Sequence, residues 1–289
     1  MRPRLQSGSL LRADTHETNP MKAPITAVIP VLNEWSQIAD CLRHLEWVDD
    51  IVVADGGSHD GTPEQARLAG ARVLEQTGPT IAAQRNAAIA AARHPWILAI
   101  DADERVSPEL AREITAAVAA PRHAAYAIRR RSVYLGRVIK HGGWGNDWVV
   151  RVFQRNQRFV ERRVHEAIQP QHDVGRLHAV LDHVPYRTLA HHIEKLDRYA
   201  TWAALDLAER GRRASWGDLL LRAPTRFLRM YLLQGGILDG WRGTLMCGLT
   251  AVNVLLKYAR LWEMQERGQP LRGHGPPEGG RAPASARTS

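Results

Sequence analysis

Residues 96–103 read WILAIDAD, five apolar side chains followed by two carboxylates one residue apart. A short, uninterrupted apolar run is the pattern of a parallel strand covered on both faces, and it is shorter than a buried helix. The two acids, Asp101 and Asp103, then stand on the same side of an extended segment just beyond it. Oxygen ligands so placed can hold a divalent cation against a diphosphate. A D-x-D alone arises about once by chance in a chain of ordinary acid content. Its place at the end of a buried strand is what gives this one weight.

The same design surrounds it. ITAVIP at 25–30, DIVVAD at 50–55 and ARVLE at 71–75 are further β-rich runs, separated by helical stretches at 34–45, 62–69 and 80–92. A helix at 108–119 and a run AAYAIRR at 124–130 follow. Thr62-Pro63-Glu64-Gln65 and Ser107-Pro108-Glu109 each join a capping residue to a proline in the first turn. Strands alternating with helices predict an α/β fold with a mostly parallel sheet flanked by helices. In such sheets ligands bind outside the carboxyl ends of the strands. Those ends carry Asn33 with Glu34, Asp55, and Asp101 with Asp103.

The composition agrees. Of 289 residues, 44% are apolar and 24% charged, which excludes a wholly disordered, collagen-like or coiled-coil chain. Only four of the 39 bases are lysines, and the formal charge is +9. Arginine favours bidentate contact with phosphate. Cys41 and Cys247 lie far apart with no C-x-x-C spacing, which argues against a disulfide scaffold or zinc knuckle and suits a reducing compartment. Residues 1–21 lack the apolar centre of a secretory signal and are expected to form a disordered leader, with Met21 a candidate start. Residues 267–289, rich in Gly, Pro, Ala, Ser and Arg, are expected to form a disordered tail.

Beyond residue 134 the pattern changes. Residues 134–185 read as irregular, with one strand at 149–153. Helices are expected at 191–210, 216–233 and 241–266. In the second, Arg222, Arg226 and Arg229 form one basic stripe, and in the third Thr250, Asn253, Lys257 and Arg260 share a face. The longest uncharged run, 243–256, is shorter than the roughly 17 to 25 residues that span a bilayer, so it is expected to lie on a membrane or pack as a core helix.

Taken as a set, PVLNE at 30–34, VVADGGSHDGT at 52–62, QRN at 84–86 and DAD at 101–103 resemble the family 2 glycosyltransferases, enzymes of the GT-A fold. No G-x-G-x-x-G accompanies them, which counts against a dinucleotide dehydrogenase. The resemblance implies a GT-A domain at 22–190, divided into a nucleotide-sugar half (22–105) and an acceptor half (106–190), with a helical membrane-proximal annex at 191–266. It implies Pro30, Asn33, Glu34 and Asp55 around the nucleotide base and ribose, Arg85 near the phosphates, and Asp101 and Asp103 for nucleotide and metal. GGWGNDWVVRVF at 142–153, RRVHE at 162–166 and LQGGILDGWRG at 233–243 are similar to a narrower branch, the lipopolysaccharide core glucosyl- and heptosyltransferase-like enzymes. The Glu-Asp pair and Q-x-x-R-W motif common in the wider family are absent. The catalytic base is therefore open between Glu166 and Asp147, each of which could instead form an ion pair with a neighbouring arginine.

His165-Glu166 is not a metalloprotease motif, because Gln169 stands where the second histidine would be. His183, His191 and His192 read as surface or hydrogen-bonding residues, while Trp144 and Trp148 suit either an acceptor loop or the core. The charge concentrates outside the nucleotide half: residues 121–163 hold eleven bases against two acids, and 222–272 eight against three. That distribution fits an anionic membrane surface and a phosphorylated glycolipid acceptor, and no nucleic-acid motif accompanies it. The expected activity is inverting transfer of a hexose or heptose from a nucleotide-sugar, foremost a UDP-sugar, to a lipopolysaccharide core or related glycolipid. A divalent metal, Mg or Mn, would assist at the inner face of the cytoplasmic membrane. A polyprenyl-phosphate sugar transferase, another cell-envelope polysaccharide glycosyltransferase, a nucleotidyltransferase and a nucleotide-binding module are the alternatives.

Overall fold

A computed structural model describes residues 23–75, 77–78, 80–160, 168 and 173–268; the expected leader and the tail past Gly268 lie outside them. Strands β1 (Ala23–Val31), β2 (Val48–Asp55), β3 (Arg72–Leu74) and β4 (Trp96–Ala99) run parallel in the order β3-β2-β1-β4. Helices α1 (Trp35–Arg43), α2 (Thr62–Leu68) and α3 (Ile81–Ala90) connect them. Every residue of β4 is buried because both faces of the sheet are covered. Leu98 packs with Ile25, Ile38 and Leu110 on one face, and Ile97 and Ala99 with Val52, Ile89 and Phe153 on the other. Pro30 is tolerated in β1 because β4 pairs with it only as far as Val28, so no ladder bond is lost.

Ser107 caps α4 (Pro108–Ala119) by accepting from the Leu110 amide at 3.2 Å, as its sequence predicts. At α2 the cap differs. Gly61, left-handed at φ 82°, precedes the helix, and Thr62 is its first residue. The Thr62 hydroxyl instead donates to Asp60 at 2.5 Å and accepts from the Glu34 amide at 3.0 Å.

Within 134–185 the described residues hold more strand than the one expected at 149–153. The sheet continues from β4 as β8-β6-β9-β5 through β5 (Glu104–Val106), β6 (Ala125–Tyr134), β8 (Asp147–Gln154) and the 13-residue β9 (Val174–Tyr186). A short β7 (Arg137–Val138) pairs with β6. β8 is antiparallel to β4 and β6, β9 is parallel to β6, and β5 is antiparallel to β9. β9 does alternate, with Leu177, Ala179 and Leu181 buried and Arg176 and His178 exposed. Its polar residues occupy the outward positions of a period-two pattern, which makes the segment resemble a loop in composition.

The three C-terminal helices form as expected: α5 (Leu189–Glu209), α6 (Trp216–Leu228) and α7 (Gly240–Arg267). α6 runs into a π-helical turn, Arg229–Leu233, and a 3-10 turn, Gly236–Asp239, leads to α7. The glycines of this connection allow close packing, since a Cβ on Gly243 would stand 2.0 Å from the Gly236 carbonyl oxygen. Tyr134, Ile139, Met230, Met246 and Cys247 bury together and fasten the helices to the sheet. Among the described residues no helix is long and apolar enough to cross a membrane. The α/β sheet with a C-terminal helical extension matches the GT-A architecture expected from the resemblance.

Candidate active site

The carboxyl ends of β1 and β2 are laced together by the segments that follow them. Asn33, at φ 56°, takes the left-handed conformation that asparagine tolerates better than most residues. Its amide donates to Ser58 Oγ at 2.8 Å, and its Oδ1 accepts from the His59 amide at 2.9 Å. Asp55 Oδ2 accepts from the amides of Gly57 and Ser58, each at 2.9 Å. Its other oxygen, Oδ1, is buried with no hydrogen-bond partner among the described residues.

Beyond β4, Asp101 and Asp103 have different surroundings. Both oxygens of Asp101 are taken by guanidinium groups, Oδ1 by Arg85 and Oδ2 by Arg151. Burial alone would raise the Asp101 pKa, but Arg151 and Arg85 hold it well below the usual carboxylate range. Arg85 also lies over the Phe159 ring, 4.7 Å from its centre. Arg151 bridges to Glu104 at 2.5 Å, and Arg130 reaches the same oxygen at 3.3 Å. The second oxygen of Glu104 accepts from the Asp101 amide at 3.0 Å, which fixes the turn between the two acids. These arginines compensate one another's buried partners, as buried charges require.

Asp103 faces the other way. Its Oδ2 lies 3.6 Å from Lys195 Nζ, and that ammonium is 3.3 Å from Glu34 Oε1. Among the described residues its Oδ1 is buried without a hydrogen-bond partner, and His183 Nε2 stands 3.7 Å away. Burial opposes ionisation, yet His183 and Lys195 bring the Asp103 pKa down to about 2. Burial raises the Glu34 pKa, with Lys195 opposing it. Burial lowers the Lys195 pKa, but Asp103 and Glu34 more than offset this and hold the ammonium above its usual range. Among the described residues no group of three or more His, Cys, Asp or Glu side chains could hold a metal ion. The Asp103–His183 pair does present two unsatisfied buried atoms, Asp103 Oδ1 and His183 Nδ1.

The structure thus brings Glu34 and Asp103 onto one ammonium and sets Arg85 against Asp101, while Pro30 and Asp55 lie among the last residues of β1 and β2 and Asn33 just past β1. Asp147 opens β8 with its Oδ2 held by Arg130 through Nε at 2.8 Å and through Nη2. Glu166 and His165 lie outside the described residues. Glu104, Arg130, Arg151, His183 and Lys195 were not singled out as site residues by the sequence. His183 is not a surface residue, its side chain being 15% exposed and turned to Asp103. Lys195 carried a usable signal: it is one of four lysines and stands on the apolar side of its helix, where Leu196 and Ala200 are buried too. Trp144 packs against Tyr186, with ring centres 6.5 Å apart.

The chain is similar to several known proteins. The chain is 28% identical over 254 residues to the lipopolysaccharide core biosynthesis glycosyltransferase LpsC of Rhizobium meliloti, covering 82% of this chain and 94% of that one. An uncharacterised glycosyltransferase of Rickettsia typhi is 25% identical over 83% of this chain and 87% of its own length. Among solved structures, glucosyl-3-phosphoglycerate synthase of Mycobacterium tuberculosis, in complex with Mn2+, UDP and glucosyl-3-phosphoglycerate, is similar at 22% identity and a TM-score of 0.34. That match spans 38% of this chain and 44% of the synthase, under half the length of either. Residues 26–181 match the family described as Glycosyl transferase family 2, from the first strand of the sheet to the middle of β9, and the chain belongs to that family.

Proposed function

We propose that the protein transfers a hexose or heptose, with inversion, from a nucleotide-sugar to a lipopolysaccharide core or related glycolipid. The observation that carries the reading is the pair of unsatisfied carboxylate oxygens, Asp55 Oδ1 and Asp103 Oδ1, at the strand ends where α/β sheets bind ligands. Asp55 Oδ1 suits an N–H donor on the nucleotide base. Asp103 with His183 suits a divalent cation, Mg or Mn, which keeps most of its shell for water and phosphate oxygens and needs few protein ligands. Such a cation would neutralise the charge that develops on the leaving diphosphate.

Asp101 serves this site by holding Arg85 and Arg151 in place. Pro30, Asn33 and Glu34 shape the wall beside the base and ribose. Of the two acids expected to act as base, Asp147 is engaged by Arg130, so Glu166 is assigned to take the proton from the acceptor hydroxyl. A glycolipid acceptor needs an enzyme at the membrane surface. Leu233, Leu238 and Trp241 support this, being 84%, 70% and 60% exposed around the turns that lead into α7. Docking at the inner face of the cytoplasmic membrane, on anionic lipid, is part of the same proposal.

The test is a panel of UDP-, ADP- and GDP-sugars, each with Mn2+, assayed for release of the nucleotide in the presence of truncated lipopolysaccharide or polyprenyl phosphate. Nucleoside diphosphate released only with a lipopolysaccharide acceptor supports the proposal. Pyrophosphate release, or turnover only on polyprenyl phosphate, overturns it.

A further inference from the structure

The basic faces of the C-terminal helices close on one another. Arg222 and Arg226 on α6 and Arg229 at the start of the π-helical turn share one face by their spacing. Asn253 and Lys257 share a face of α7, and together these residues line a cavity of about 660 Å³. Trp144 forms part of its wall.

The charge in this groove is not balanced. Arg222 donates to Asp218 and lies over the Tyr258 ring, 4.9 Å from its centre. Lys257 Nζ is 4.6 Å from the centre of the same ring. Among the described residues Arg226, Arg229 and Lys257 form no ion pair. Burial, Arg222 and Arg226 together push the Lys257 ammonium below its usual range, as expected of cations gathered without counter-charge.

An anion rich in acceptor oxygens relieves that repulsion, and guanidinium groups match phosphate through paired N–H donors. The groove is larger than a bare phosphate needs and falls in the range of about 300–1,000 Å³ typical of sites for small organic ligands. Thr250 and Asn253 offer hydrogen bonds, and Trp144 an aromatic face, to a sugar ring. The groove also adjoins the acids: His192 and Leu196 of α5 line it, while Lys195 between them reaches Glu34 and Asp103.

We infer that this groove binds a phosphomonoester carried by the acceptor, with Arg226, Arg229 and Lys257 on the phosphate, and so selects phosphorylated acceptors. The inference rests on the glycosyl-transfer reading. The full-length protein is first titrated with UDP, ADP and GDP, each with Mn2+; binding of none of them overturns the transfer reading without bearing on the groove. It is then titrated, with the nucleotide that binds and Mn2+ held saturating, with glucose 6-phosphate and with glucose by calorimetry. Vesicles of phosphatidylcholine with and without phosphatidic acid are tested in parallel by sedimentation.

Binding of glucose 6-phosphate but not glucose is expected, weakening about tenfold for each cation removed in Arg226→Gln and Lys257→Gln. Arg226→Lys should retain part of the affinity. Arg226 is exposed and Lys257 half-buried beside Tyr258, and circular dichroism checks that the helices persist. If only phosphatidic acid vesicles bind, the groove takes a lipid headgroup and the selection of phosphorylated acceptors is overturned. If neither probe binds, or both bind the Arg226→Gln/Lys257→Gln variant as tightly as the original chain, the inference is overturned.

Discussion

Lys195 Nζ, on the first C-terminal helix, lies 3.6 Å from Asp103 Oδ2 at the end of the fourth strand, across 92 positions of sequence. The same ammonium reaches Glu34, so one buried cation joins two carboxylates that would otherwise repel each other. Removing it takes the ion-pair partner from Glu34 and leaves Asp103 with His183. Lys195→Met is expected to lower stability by about 3 kcal/mol, read from the midpoint of urea unfolding. Lys195→Arg should lose less, because it keeps the charge.

Asp103 is the acid of the D-x-D pair proposed to hold the cation, its Oδ1 lying 3.7 Å from His183 Nε2. Asp103→Asn is expected to cost about a thousandfold in transfer, or ~4 kcal/mol of transition-state stabilisation. It should also abolish the shift in melting temperature that Mn2+ with UDP produces in the original chain. A variant with ordinary turnover would refute the role given to Asp103.

The two candidate bases separate kinetically. Glu166→Gln is expected to lower kcat by about 10²–10⁴-fold and to remove the acidic limb of the pH–rate profile. Asp147→Asn breaks an ion pair with Arg130, and should retain far more activity. Equal losses in the two variants would count against assigning the proton transfer to Glu166.

His192 is 4% exposed, and its Nδ1 lies 2.8 Å from the Tyr134 hydroxyl. Burial, then His191, lowers its pKa from 6.5 to about 4. The folded state therefore binds a proton less readily than the unfolded chain. Its contribution to stability is complete above pH 6.5 and is lost as pH falls toward 4. The loss across that window is up to ~3 kcal/mol. Urea midpoints measured from pH 7 to pH 4 should show this slope, and His192→Gln should flatten it.

Leu233 and Trp241 are the exposed side chains through which the proposed membrane docking is tested. Liposomes containing anionic lipid should carry the protein upward on flotation, with the association weakening as salt is raised. Leu233→Glu with Trp241→Glu should leave it at the bottom of the gradient. Salt-insensitive flotation of that variant would refute docking through these turns.

Much of this was legible before any coordinates. WILAI, ITAVI and DIVVA are almost wholly apolar, as a strand covered by helices on both sides requires, and the two polar residues among them, Thr26 and Asp50, are buried against each other at 2.9 Å. Asp55, Asp101 and Asp103 follow those runs directly, so their placement at one end of the sheet comes with the chain direction. Ser107-Pro108 stops one element and starts the next through bonds only three residues long. All of this is local, and local rules suffice for it.

The rest depended on contacts that spacing does not encode. β9 hid its alternation behind Arg176 and His178, and only its pairing with β6 and β5 makes a strand of it. His183 meets Asp103 because β9 runs beside β5, and Lys195 meets Glu34 because α5 folds back over the same strand ends. Whether Asp101 faces a cation or two arginines is likewise decided by Arg85 on α3 and Arg151 on β8. A residue's type and its neighbours in sequence determine which element forms and where its charges lie along the chain. Which buried charge meets which is settled by packing across the sheet, where the cost of an unpaired ion selects the arrangement.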